Sequence, residues 1–186
     1  MSATVGYIAD VHVLLAADAD WLVDDVVAAL GDIDTSFTVC SEGREVSKQV
    51  TKREKAGEPS DVAVVDLQIG SMGGIAVTMA LRLDASVGNA PNIPILVLLD
   101  RVADVHLAKR SGANGWLVKP LDPLRLRRAV RTVAAGGSYT EGLPQPEPTS
   151  RAQATATGDP EATPDTPSDE AVSATESSGP EPVAAG

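Results

Sequence analysis

Short apolar runs alternate along this chain with longer stretches in which apolar residues recur every three or four positions. The first run covers residues 11–16 and stops at acidic residues. Over residues 21–30 the apolar positions are Leu22, Val26, Ala29 and Leu30, a helical spacing. Asp18 or Asp20 suits its N-cap, since a short carboxylate accepts a first-turn N–H. Residues 37–40 predict a second strand. Residues 44–56 are charged, with Val46 and Val50 four apart, and predict an exposed amphipathic helix that Gly57 and Pro59 end.

Residues 62–66 form a third strand, apolar until Asp66, and Gly70, Gly73 and Gly74 then mark a tight loop. Residues 75–83 are helical. Pro91 and Pro94 bracket the entry to a fourth strand at 95–99, and a short helix at 103–111 stops at Gly112. Residues 116–118 are a fifth strand before Lys119-Pro120. Pro123 sits where a first helical residue belongs. Leu126, Ala129, Val130 and Val133 form the buried face of the last helix, and Gly136-Gly137 closes it.

Five β–α units follow one another. Strands that are apolar throughout belong in a parallel sheet covered on both faces. The expected architecture is therefore a doubly wound α/β sandwich. Ligands of such sheets bind outside the carboxyl ends of the strands. Asp18, Asp66, Asp100 and Lys119 all fall at those ends. A carboxylate ending an apolar strand is costly unless it has a partner or a task. Carboxylates suit Mg²⁺, and a lysine beside them suits a phosphoryl oxygen. The group points to phosphoryl transfer onto an aspartate.

The segments 64–74 (VVDLQIGSMGG) and 112–120 (GANGWLVKP) carry a family resemblance. In order and at this spacing, they resemble the response regulator receiver domain of two-component signalling, of the chemotaxis-regulator type. The resemblance covers residues 11–135. It implies a flavodoxin-like fold with strand order 2-1-3-4-5. It implies that Asp66 accepts a phosphoryl group from a histidine kinase or phosphotransfer protein. It further implies that Lys119 binds that group ahead of a cis proline, Pro120. Asp18, Asp66 and the backbone carbonyl of Gln68 are the implied Mg²⁺ ligands. Trp116 is the implied switch aromatic, and the face of the fourth helix, fifth strand and fifth helix is the implied contact surface for an effector protein.

Two positions depart from that pattern. Ala17 stands where the family carries the first of two adjacent acids, so Mg²⁺ binding is expected to be weak. Leu99 stands where the family carries a Ser or Thr whose hydroxyl bonds the phosphoryl group. Asp100 is expected to point away from Leu99 by strand alternation, and so not to contribute its carboxylate to the site.

The remaining chemistry-bearing residues read as structural. His12 lies inside the first strand and reads as a satisfied or edge histidine; His106 reads as exposed, and the two are not spaced as a metal pair. Cys40, the single cysteine, reads as a small buried apolar side chain. Trp21 reads as core or helix surface. Arg125, Arg127, Arg128 and Arg131 read as a solvated face, or else as a docking surface for a partner or for the chain's own tail.

Composition changes the picture mainly at the C-terminus. The chain has 186 residues and a net charge of −11. Residues 141–186 hold nine acids and one base, and so carry −8, leaving −3 for the rest. Eight of the 13 prolines lie there too, with few large apolar side chains, which predicts a disordered acidic tail. The expected division is a short extension at 1–10, a receiver domain at 11–137 and a tail at 138–186. The acidic balance argues against nucleic-acid and membrane partners. No apolar run is long enough to span a bilayer and no secretory signal is evident, so the expected place is the cytoplasm.

The expected function is that of a stand-alone, non-enzymatic response regulator that signals by protein–protein contact. The alternative is a pseudo-receiver, an interaction module that does not use phosphorylation. An aspartate-based phosphatase needs a second acid two residues after its nucleophile, where this chain has Gln68. A flavin-binding reading lacks a Ser/Thr-rich phosphate loop after the first strand.

Overall fold

The computed structural model describes residues 11–31 and 35–141. The expected N-terminal extension and the tail beyond Glu141 lie outside them. The elements are β1 (Val11–Ala16), α1 (Asp20–Leu30), β2 (Thr35–Cys40), α2 (Gly43–Lys55), β3 (Val62–Asp66), α3 (Gly74–Ser86), β4 (Ile95–Leu99), α4 (Val105–Arg110), β5 (Gly115–Val118) and α5 (Pro123–Ala134), with one 3-10 turn (Val102–Asp104) before α4. The strands form one sheet in the order β2-β1-β3-β4-β5, and every pair is parallel. The doubly wound, flavodoxin-like architecture expected from the sequence is borne out.

The strand residues alternate between two apolar layers. Leu14, Ala63, Val65, Val97, Leu99 and Trp116 face a layer closed by Val46 and Val50 of α2, Val77 and Leu81 of α3 and Ala108 of α4. Val13, Leu15, Val62, Val64, Leu98 and Leu117 face a layer closed by Leu22 and Val26 of α1 and Leu126, Ala129 and Val133 of α5. β3 and β4 are buried at every position, as their unbroken apolar runs required.

Two of the differences from the sequence pattern have clear physical reasons. β2 starts at Thr35, two residues early, because pairing with β1 sets Ser36 opposite His12. The imidazole lies 2.8 Å from the Ser36 hydroxyl and 3.0 Å from that of Thr38, so both ring nitrogens are satisfied. At the other boundary α1 is capped by Ala19, with no side-chain cap. Neither Asp18 nor Asp20 does that work. At α5, by contrast, the Asp122 carboxylate accepts the Arg125 N–H at 2.8 Å and Pro123 opens the helix.

The chain runs on beside β5 past the expected boundary at Gly137. Tyr139 makes a parallel bridge to Gly115, and Glu141 also contacts β5. Among the described residues, no helix is long and apolar enough to cross a membrane.

Cys40 ends β2 and is buried. Burial, with the Glu45 carboxylate adding to it, pushes its thiol up to about 11. The thiolate is the reactive form. Alkylation at pH 8 is therefore expected to be slower in the native protein than in urea by on the order of a hundredfold. Equal rates in stopped alkylation assays would show that the strand end opens freely.

Candidate functional site

Register brings the site together. Asp66 pairs with Leu98, and Leu99 pairs with Val118, so Asp100 and Lys119 emerge side by side one row past the sheet. Lys119 reaches back toward β3, and its Nζ lies 2.6 Å from Asp66 Oδ1. Asp66 is only 2% exposed, so its carboxylate depends on that ammonium for compensation. The Lys119-Pro120 peptide is cis.

Lys119 is shared. Its Nζ also lies 3.1 Å from Asp100 Oδ1, and the Gln68 side-chain amide donates to Asp100 Oδ2 at 3.1 Å. The expectation that Asp100 keeps its carboxylate out of the site is therefore wrong. β4 ends at Leu99 and the chain bends at Asp100, so strand alternation no longer sets its direction. Two carboxylates flank a single ammonium, and this arrangement was not legible from strand periodicity.

Asp18 also approaches the site, by a different bond from the one expected. Its Oδ2 accepts the Gly70 N–H at 3.0 Å, which ties the end of β1 to the loop after β3. Its other oxygen has no partner among the described residues. Ala17 is buried in the apolar layer of α1 and α5. Among the described residues, no three His, Cys, Asp or Glu side chains gather as a metal cluster. Asp66 and Asp100 are the carboxylates that meet at Lys119, and Asp18 is tied to the loop after β3.

Leu99 is fully buried and belongs to the same apolar layer as Trp116 and Ala108. Trp116 is buried as well, and its indole N–H donates to the Glu141 carbonyl at 2.7 Å. Trp21, on the first turn of α1, is 60% exposed, and its ring centroid lies 5.8 Å from Lys119 Nζ. A cation over an aromatic face is attracted by the ring quadrupole. Trp21 therefore belongs to the rim of the site rather than to the core. Its position three residues after Asp18 was the only signal for this in the sequence.

A family model described as the response regulator receiver domain matches residues 13–131. The chain is 32% identical over 96 residues to Protein PilH of Pseudomonas aeruginosa, covering 47% of this chain and 78% of PilH. Other curated relatives are longer, and the chain spans 34% to 58% of their length. The solved structure of Vibrio cholerae chemotaxis protein CheY4 is 28% identical, with a TM-score of 0.55 over 67% of this chain and 99% of that one. The receiver domain of sensor histidine kinase PA1611 from P. aeruginosa, solved with magnesium in its active-site cleft, shares the fold. It has a TM-score of 0.55 at 19% identity, covering 68% of this chain and 99% of that one.

Proposed function

The chain belongs to the response regulator receiver domain family, and from that membership we propose that it is a cytoplasmic phosphoacceptor whose Asp66 takes a phosphoryl group from a histidine kinase or phosphotransfer protein. The observation that carries this reading is the buried Asp66 carboxylate held 2.6 Å from Lys119 Nζ at the carboxyl end of the sheet. An Asp66 oxygen forms the new P–O bond while the P–N bond to the donor histidine breaks, and the leaving imidazole takes the bonding pair. Lys119 then pairs with the phosphoryl oxygens. Its three N–H donors let it do so while it still holds Asp100. The signal passes on by protein–protein contact through the face of α4, β5 and α5.

Asp18, Asp66 and the Gln68 carbonyl are the residues that would hold Mg²⁺. They are hard oxygen donors, and the ion is commonly held by one or two carboxylates with water completing its shell. Bound there, Mg²⁺ supplies positive charge against the phosphoryl oxygens. Ala17 removes one acid from the expected set, so binding is weak. Leu99 removes a hydrogen bond to the phosphoryl group, worth roughly 1.5–3 kcal/mol. A second reading, an interaction module that keeps the fold without phosphorylation, is favoured by the burial of Leu99 against the layer that holds Trp116.

Amide NMR of the full chain separates the two readings. Titration with Mg²⁺ and then beryllofluoride, a phosphoryl mimic, is expected to shift Asp66 and Lys119 and their neighbours. Asp66→Ala is expected to abolish those shifts. Silence of the wild-type spectrum at about 20 mM Mg²⁺ with the mimic, beyond the weakest protein sites for hard cations, would leave the interaction module as the function.

A further inference from the structure

β5 is an edge strand, and an edge strand presents unpaired backbone groups that another strand can take up. Here the chain itself takes them up. The Trp116 N–H donates to the Tyr139 carbonyl at 2.8 Å, and the Tyr139 N–H donates to the Asn114 carbonyl at 3.3 Å. Two residues on, Glu141 makes three contacts. Its carbonyl accepts the Trp116 indole N–H, its Oε2 accepts the Val118 N–H at 3.1 Å, and its Oε1 pairs with Arg125 of α5. Both outward N–H groups of β5, its aromatic side chain and a cation of α5 are thus served by residues 139–141. The contact lies on the face through which the proposed function passes its signal.

We infer that the outer edge of β5, with Arg125 beside it, is a docking site for an extended acidic segment, and that residues 138–141 occupy it in cis. The site reads a backbone carbonyl against the Trp116 N–H and, two residues later, a carboxylate against the Val118 N–H and Arg125. Strand addition of this kind draws affinity from main-chain hydrogen bonds and specificity from the side-chain contacts. An effector that offers an extended segment with a carboxylate at that spacing competes with the chain's own strap. Displacing the strap also removes the acceptor of the Trp116 indole, which couples docking to the freedom of that side chain. The inference rests on the α4–β5–α5 face being the contact surface, and it does not depend on Asp66 being phosphorylated.

Amide hydrogen exchange on the labelled full chain tests it without a phosphoryl mimic, so its outcome is separate from that of the Asp66 titration. Glu141→Ala is expected to speed exchange at Val118 and Trp116 at least tenfold. Lys119, whose N–H donates inward to the Leu99 carbonyl at 2.7 Å, serves as the unchanged control. Arg125→Ala is expected to act in the same direction at Val118. A synthetic peptide with the chain's own residues 137–143, GSYTEGL, added to the Glu141→Ala protein is expected to restore protection. The same peptide with alanine for its glutamate is expected to fail. Unchanged exchange at Val118 in Glu141→Ala would overturn the cis contact. Failure of the peptide at millimolar concentration, or equal rescue by both peptides, would overturn the docking site.

Discussion

Lys119→Ala is expected to lower folding stability at pH 7 by about 3–5 kcal/mol, the cost of leaving a buried charge without its partner. The side chains of Asp66 and Lys119 are 3% and 14% exposed, so water does little to screen the pair. The ammonium also holds Asp100. Without it, two carboxylates face each other with no cation between them. Asp66→Asn breaks the same pair from the other side, yet leaves Lys119 with Asp100 and removes one of the crowded acids. It is expected to cost less than about 1 kcal/mol, because the ammonium keeps Asp100 as its partner and no charge is left buried alone. Urea unfolding of the two variants measures the asymmetry. Equal losses would mean that Asp66 and Lys119 act as an isolated pair and that Asp100 contributes nothing.

Gly74→Ala is expected to cost about 3 kcal/mol, at the upper end of overpacking effects, and to weaken any response to beryllofluoride. A Cβ at Gly74 would lie 2.3 Å from the Asp66 carbonyl oxygen, 2.9 Å from its carbon and 3.0 Å from the Leu67 Cα. All three are backbone atoms, so no rotamer change relieves the contact. Either α3 moves away from the sheet or the Asp66 peptide moves, and the second route dislocates the phosphoacceptor. Gly57→Ala is the control. It has a positive φ of 76° but open space around it, so only the backbone term of roughly 1 kcal/mol applies. Thermal unfolding of both variants, with the NMR titration on Gly74→Ala, checks the prediction. If the two glycines cost the same, the close approach of α3 to β3 does not constrain the site.

Much of this was legible before the structure. β3 and β4 matched their expected bounds because an unbroken apolar run allows only a strand buried on both faces. Pro123 marked the start of α5 because its fixed φ acts at the residue itself, whereas the Asp122 carboxylate that caps the helix emerged only with the fold. Asp66 and Lys119 stood out because a charge at the end of an apolar run asks for a partner. Asp18 shows where this reasoning stops. A carboxylate just before a helix reads as its cap, but the Gly70 N–H that claims it is 52 residues away.

The sequence by itself determined the order of elements, the two-layered sheet and the strand ends on which Asp66 and Lys119 stand. Those follow from local periodicity and from the cost of exposing apolar runs or burying lone charges, and neighbours along the chain suffice to read them. Only the tertiary structure decided that Asp100 shares Lys119, that Trp21 stands over the same ammonium and that Glu141 closes the edge of β5. Each of these lies where regular structure ends or passes into a loop. There the direction of a side chain is set by whichever donor or cation the fold brings within reach, and no repeat in the sequence encodes that distance.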